Sequence, residues 1–575
     1  MVWPDPLLHP TPALTMRLTG AQADGRSLHF QPGDVAALDT AYNCFAVAKW
    51  QRDCGLRDLA LVVQGQGQFV VTITDGPRET RFAVTNDTTI DLTPLLATTQ
   101  APLFYVTLRA VTPGQITALN WCSHHHPLRA PNLLLCITTF HREAQATATI
   151  ARFGDFMAHN PLQPHLHLVV IDNGHSLTVP PSPHVTVLPN RNLGGSGGFA
   201  RGLAHAVDHG HSHILFMDDD AAIDMATLAR CWTYLAHATH LETAVAGALM
   251  QADQPTHLWE NGAIFDGLCR PLSQGRDLTN PQDLTQVETT SLAPHPNLYG
   301  GFWFFAFAVA QVRHWPFPFF VRGDDVSFCL SNPFRITTLP GVISYQDQDF
   351  PDKETSLTLY LGLRCDLINL LTAPVIAKRA IKTLAVPALT FWRCMVLLRS
   401  DSMAALNLAV EDVLSGPDFF ARNADLAQRR TQIAAARRAE VWQPLATPTP
   451  RQHLRLNPQA RWLRAVMLIT LNGLALPFFG RWGNQIVVPQ GTRLRVSQAW
   501  GAARITVLAT DGSRAMVLHH AKGAALRQGL RLAGNLLRLM WRYRNLRQVW
   551  ATGYCDLTTR AFWDAQSSPG PLGIN

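Results

Sequence analysis

The ten cysteines of this 575-residue chain never fall into a Cys-x-x-Cys pair or a Cys/His zinc spacing. That excludes the common zinc modules, and scattered thiols of this kind read as core residues in a reducing compartment. Long apolar runs are missing too. The longest, Leu384 to Leu398 and Ala465 to Phe479, are interrupted by Pro387 and Arg393 and by Asn472 and Pro477. Both fall short of the ~20 residues a spanning helix needs, so buried or interfacial helices are expected. No basic patch followed by an apolar stretch opens the chain: Pro4, Pro6 and Pro10 interrupt it and Arg17 comes late, which reads as no signal peptide. Acidic residues are absent from Ser513 to Cys555, a stretch that holds Arg514, Lys522, Arg527, Arg531, Arg538, Arg542, Arg544 and Arg547 among leucines. This predicts a basic amphipathic helix over about 519–549. Such a helix either packs on its own domain with solvated arginines or lies on an anionic membrane surface. Nucleic acid is not expected as a partner, because nothing else in the chain resembles a nucleic-acid module.

Apolar residues at 47% and charged residues at 15% place the chain among globular proteins, and its length implies three or four domains. Residues 28 to 122 alternate apolar and polar positions (LALVVQGQG, FVVTITDG, TRFAVTN, LFYVTLRAV), the pattern of a β-sandwich or barrel. HHHPLRAPN, from His124 to Asn132, reads as a linker: neighbouring side chains diverge in an extended segment, so its three histidines do not suggest a metal site. From Leu133 the chain changes character. The strands LLLCITTF, HLHLVVIDN, HVTVLPN and HILFMDDD alternate with helical segments, including Ala200 to His209, which implies a parallel, doubly wound sheet. Residues 355 to 440 read as mostly helical, QPLATPTP as a loop, and RLRVSQAWGAARITVLATDG as a short β-like segment before the basic helix.

The chemistry concentrates at the ends of these strands, where ligands bind in open α/β sheets. Thr139, Asp172, Asn192 and the triplet Asp218, Asp219, Asp220 all fall there, so one cleft is expected to collect them. Asp218 and Asp220 share a side of an extended chain and can face one divalent cation, while Asp219 points away or meets a ribose. Upstream, Gly194, Gly195, Gly197 and Gly198 surround Ser196, and Arg201 follows in what reads as the first turn of a helix. Glycines let a backbone approach a ligand and present N–H donors to it. A glycine loop followed by acids that can hold a cation suits the transfer of a sugar from a nucleotide diphosphate, whose leaving group is anionic. Asp324 and Asp325 precede another helical run. They are either ordinary caps or the site of a general base that deprotonates an acceptor hydroxyl. YGGFWFF, Tyr299 to Phe305, is core or an acceptor platform, with Trp303 the candidate.

Taken together, NLGGSGGFARG, ILFMDDD, GGFWFF, FVRGDD, the N-terminal TAYNCFAVAKWQRD and the arginine-rich last helix resemble the family 2 inverting glycosyltransferases of GT-A fold, and more closely the bacterial galactofuranosyltransferases that build mycobacterial galactan. The resemblance implies a Rossmann-like, mostly parallel α/β sheet at 128–370, an N-terminal β-sandwich at 1–127 and a mainly helical region at 371–575. It implies UDP-galactofuranose as donor and a cell-surface glycan, free or lipid-linked, as acceptor. Mn²⁺ or Mg²⁺ would be held by Asp218 and Asp220. Thr139, Arg142 and Asp172 would meet the uridine end, and Phe302 and Trp303 the acceptor. Asp325 would be the base, with Asp324 holding hydroxyls. It further implies attachment to the inner, cytoplasmic face of the membrane, and it permits a homo-oligomer. The chain departs from the family in two places. A tandem tryptophan is Phe302–Trp303 here. A metal histidine expected after LPG is absent from LPGVISYQDQDFPDK, where Gln346 and Asp347 are the nearest oxygen donors. Two other readings stay open: the same fold with another nucleotide-hexose donor, such as a rhamnosyl one, and a non-catalytic glycan-binding protein.

Overall fold

The computed structural model describes residues 1–3, 12–25, 27–251, 254–346, 354–445 and 451–567. At the N-terminus, two five-stranded antiparallel sheets face each other over one apolar core. The strand Gln68–Asp75 shows how the sequence builds it: Phe69, Val71 and Ile73 are buried and the residues between them are not, the alternation of a sheet with one face inward. The helix Val47–Cys54 leaves this sandwich and sends Lys49 into the next layer. Its ammonium, fully buried, pairs with Glu288 at 2.6 Å and donates to the Thr338 carbonyl at 2.7 Å.

The central sheet runs Val185–Pro189, Leu166–Asp172, Leu133–Thr139, His213–Asp218, Phe305–Ala308, Thr243–Gln251, Arg335–Gln346 and Ala221–Ile223, with Gln254–Glu260 paired off Thr243–Gln251. The first four strands are mutually parallel, as are Thr243–Gln251 and Arg335–Gln346. Phe305–Ala308 is antiparallel to both of its neighbours. The sheet is thus mixed and mostly parallel. Its strands are near-continuous apolar runs because both faces are covered: His213–Asp218 is buried at every residue except the last. Register matters most at the carboxyl ends. Thr139 lies opposite Asp172, and Thr138 opposite Asp218, so the polar strand ends finish along one edge.

The C-terminal part is mainly helical and shares a core with the central sheet. The helix Ser356–Thr372 opens on a reciprocal cap between Thr355 and Thr358 and buries Tyr360, Leu363, Leu367 and Ile368. Residue 370 falls inside it. A four-stranded sheet (Trp442–Pro444, Arg514–His519, Ala502–Leu508, Asn484–Val488) packs beside these helices. The expected β-like segment is only half strand, since Val496–Ala499 is a short helix and Ala502–Leu508 carries the pairing. The run Ala465 to Phe479 is likewise divided: helix ends at Ile469, and turns with left-handed Leu471, Asn472 and Gly473 follow. The basic helix is Lys522–Leu557, 36 residues. Its buried stripe recurs at three- and four-residue spacing through Leu532, Leu539, Tyr543, Leu546, Trp550 and Tyr554. Among the described residues no helix is long and apolar enough to cross a membrane.

Candidate active site

A cavity of about 650 Å³ opens at the carboxyl edge of the parallel strands. Its lining includes Thr139, Arg142, Asn192, Gly194, Gly195, Asp218, Asp219, Asp220, Phe302, Trp303, Asp324, Asp325 and Gln346. Most of the residues singled out by their sequence pattern therefore converge, from separated stretches of chain, on one cleft. Asp347 lies outside the described residues. A second cavity, about 540 Å³, separates the sandwich from the sheet and has no carboxylate in its lining.

The triplet sits where its strand runs out. Arg142 donates to Asp219 at 2.8 Å and approaches Asp220 at 3.0 Å, and the Gln346 amide donates to Asp220 at 3.1 Å. Register explains the last contact, since Gln346 pairs with Ala221, the residue after the triplet. Burial, and then the charge of Asp220, Asp324, Asp219 and Asp325, pushes the Asp218 carboxyl well above the usual carboxylate range. A pocket with this much crowded negative charge and only oxygen donors suits a hard divalent cation. Among the described residues no three His, Cys, Asp or Glu side chains are placed to hold an ion by themselves. The set present, two carboxylates and an amide oxygen, is the kind that Mg²⁺ completes with waters and substrate phosphates.

The glycine run is not a loop. Gly194 already belongs to the helix Gly194–Asp208, which begins six residues earlier than its apolar pattern suggests. Only Gly194 and Gly195 face the cavity. Gly194 has φ +70°, and a Cβ there would lie 2.0 Å from the Phe320 carbonyl, which accepts from the Ser196 N–H at 3.1 Å. Gly197 and Gly198 instead admit Leu193 and Thr138, whose side chains would be 2.2 Å from an added Cβ. Gly198 lets the helix pack on the strand and Gly197 makes room for the helix's own capping residue, which corrects the expectation that all four glycines meet a ligand. The earlier helix start also corrects Arg201. It sits two turns into the helix rather than one and lines a different surface cavity, with His167, His205 and His211. The Asp172 carboxylate folds onto its own chain, accepting from the N–H groups of Gly174, Ser176 and Leu177 at 2.8–2.9 Å. The next residue, Asn173, lines the cavity in its place.

Across the cleft, Phe320, Arg322 and Gly323 all have positive φ, and this sharp turn delivers Asp324 and Asp325 at the start of the helix Asp324–Ser331. Gly323 is required there: a Cβ would meet the Cys365 sulfur at 1.9 Å. Burial, with help from Asp325, raises Asp324 to about 7. Burial likewise raises Asp325 to about 6, opposed by backbone N–H groups at the helix start and by Arg322. Phe302 is buried in an aromatic cluster with Phe199 and Phe216, ring centroids 5.0 Å away in each case. Trp303 is held by an indole N–H bond to the Gly247 carbonyl at 2.9 Å.

Sequence pattern had not marked Glu260, Arg322 or Arg430. Glu260, 4% exposed at a strand end, is pushed up to about 8 by burial and by the charge of Asp325. No spacing rule singles out one acid in WENG. Arg430 lies far along the chain from the aspartate motifs, on the helix Ala427–Ala436.

The chain is a mixed α/β protein with an aspartate-lined edge on its central sheet. By sequence it is a homologue of the mycobacterial galactofuranosyltransferases. It is 22% identical over 450 residues to galactofuranosyltransferase GlfT2 of Mycolicibacterium smegmatis, covering 68% of this chain and 66% of that one. To GlfT1 of the same organism it is 32% identical over 171 residues, 28% of this chain and 53% of the relative. To GlfT2 of Mycobacterium tuberculosis it is 26% identical over 257 residues, covering 40% and 38%. Each match therefore spans less than two-thirds of the relative's own length. No protein-family model matches the chain. Two solved glycosyltransferase structures align weakly. GalNAc-T7 with UDP, GalNAc and Mn²⁺ gives TM-score 0.30 at 10% identity, over 69% of this chain and 73% of that one. A mannosyltransferase of Pyrobaculum calidifontis with GDP-Man and Mn²⁺ gives TM-score 0.29 at 15% identity, over 54% and 85%. Scores this low carry no argument.

Proposed function

We propose that this protein is an inverting glycosyltransferase that moves a galactofuranosyl residue from UDP-galactofuranose to a glycan acceptor. The observation that carries the reading is the convergence, in one cavity, of a helix N-terminus, a strand-end aspartate triplet and a buried aspartate pair. In this reading the donor diphosphate lies at Gly194 and Gly195, beside the positive end of the helix dipole. Asp218 and Asp220 would hold Mn²⁺ or Mg²⁺, with Gln346 beside Asp220 where the family resemblance implies a histidine. That cation supplies charge neutralisation for the leaving diphosphate. Asp325, on the facing wall, takes the proton from the acceptor hydroxyl as its oxygen attacks the anomeric carbon. A carboxylate raised to about 6 is ionised at neutral pH yet more basic than an exposed one, which suits that task. Asp324 and Trp303 position hydroxyls and the sugar face. The chain divides, in the same reading, into units at 1–127, 128–370 and 371–575.

The test is UDP release from a panel of UDP-sugars, with and without Mn²⁺ or Mg²⁺, in the presence of a short galactofuranosyl acceptor. Metal-dependent turnover of UDP-galactofuranose alone is expected. Turnover of a different donor moves the substrate, and binding of glycans without turnover of any donor overturns the enzyme reading.

The reading includes attachment to a membrane surface. On the helix Lys522–Leu557, Leu526, Leu530, Leu537 and Trp541 recur at spacings of four and seven, and all are exposed, Trp541 at 87%. They form a second apolar stripe, turned away from the buried one and flanked by exposed Arg527, Arg538 and Arg544. Sedimentation with anionic vesicles at low salt is expected, and Trp541→Glu with Leu537→Glu should release the protein. Indifference to vesicles would overturn the attachment.

A further inference from the structure

We infer that Arg430, delivered from the C-terminal helical part, is a phosphate-recognising residue of the active-site cleft. The inference rests on the transferase reading above and adds a binding group that neither the sequence motifs nor the aspartates supply.

Three observations support it. First, Arg430 lines the same cavity as Gly194, Gly195 and the aspartate triplet, although it lies on the helix Ala427–Ala436. Its guanidinium carbon stands 4.7 Å from the centre of the Phe320 ring. Phe320 is the residue whose carbonyl accepts the Ser196 N–H at 3.1 Å, so one aromatic ring joins the arginine to the start of the glycine helix. A cation on an aromatic face is held in orientation without its donors being consumed.

Second, the arginine is unpaired where its neighbours are not. Arg429 is bound to buried Asp412 at 3.1 Å through its Nε, and Arg191, beside Asn192, is bound to Asp425 at 2.8 Å. The first pair ties the helix to Ser400–Ser415, and the second ties the residues just before the helix to the segment that leads into the glycine helix. Arg142 is engaged by Asp219 and Asp220. Among the described residues Arg430 makes no ion pair, and its Nε is buried without a hydrogen-bond partner. A buried donor left without an acceptor is costly, and a ligand oxygen would satisfy it.

Third, the chemistry fits one ligand class. The glycine helix turns the positive end of its dipole to the cavity from one side, and the guanidinium presents a planar fork from the other. Phosphate oxygens suit both. The phosphate has two sources in this reaction: the diphosphate of the donor, or a phosphodiester carried by the acceptor.

The experiment uses the full chain and the variants Arg430→Gln and Arg430→Lys, with thermal unfolding to confirm that both fold. Affinities for UDP and for uridine are measured by calorimetry in the presence of Mn²⁺. Arg430→Gln should weaken UDP about ten- to hundredfold and leave uridine within about twofold, with Arg430→Lys between the two. That result assigns the donor diphosphate. If UDP is unchanged but KM rises only for a glycan acceptor carrying a phosphodiester, and not for the same glycan without it, the arginine serves the acceptor's phosphate. Equal affinities and equal KM values in wild type and Arg430→Gln overturn the inference, as does parallel weakening of UDP and uridine. Failure of the wild-type chain to bind UDP overturns the transferase reading itself and this inference with it.

Discussion

The two acidic clusters of the cleft face each other but are built in opposite ways. Asp218, Asp219 and Asp220 end a strand, and Arg142 and the Gln346 amide relieve part of their crowding. Asp324 and Asp325 begin a helix, and the backbone itself offers N–H groups to them, including Val326 N–H to Asp325 at 2.7 Å. Asp218 and Asp219 are raised above the ordinary carboxylate range, and so are Asp324 and Asp325: burial leads in each, neighbouring carboxylates add most at Asp218, and backbone N–H groups offset part of the rise at the helix start. Repulsion calls for a counter-cation. Partial offset leaves a carboxylate that gains and loses a proton near neutrality. One wall is suited to charge and the other to proton transfer.

The sharpest way to break this division is Asp325→Asn. It should lower kcat about a thousandfold while leaving UDP affinity within a few-fold, as read by steady-state kinetics and calorimetry. Retained turnover would remove Asp325 from the base role. Asp218→Asn attacks the other wall. Here UDP affinity with Mn²⁺ should fall on the order of a hundredfold, with little change in EDTA; equal losses under both conditions would mean that the residue supports structure and not the cation. The pH profile sharpens the contrast. Asp325 must be ionised to accept a proton, so kcat/KM should drop about tenfold per unit below a limb near 6 and level off above it. A limb near the ordinary carboxylate value would show that burial does not tune this group. The smallest effect belongs to Gln346→Ala, for which the Mn²⁺ concentration at half-maximal rate should rise by about tenfold or less. No rise would place Gln346 outside the cation's surroundings.

Much of this was legible before the fold was seen, where short-range pattern carries the information. Apolar runs ending in acids gave the strand ends, and the register of parallel strands then brings such ends together with no further instruction. The glycine run was legible as a special backbone but not in its purpose. Gly198 is small because Thr138 of a neighbouring strand approaches it, and that approach depends on tertiary contact. Arg201 departs from its expected place because the helix begins six residues before its apolar pattern does, and six residues on a helix turn a side chain by most of two revolutions. Glu260 and Arg430 left no trace at all. Each is a single charged residue in an unremarkable segment, and its meaning comes from what folds against it: Asp325 in one case, the Phe320 ring in the other.

The buried Lys49–Glu288 pair bears on how such a protein can be taken apart or inherited. The cation belongs to the sandwich and the anion to a helix beside the central sheet, and neither has water to fall back on. Separating them leaves a lone charge in an apolar seam, a defect worth about 3–5 kcal/mol, a large share of what holds an ordinary domain together. The N-terminal sandwich is therefore poor currency for domain shuffling: a central sheet grafted onto a foreign partner inherits Glu288 without its cation. The seam binds the histories of the two halves together as firmly as it binds their structures.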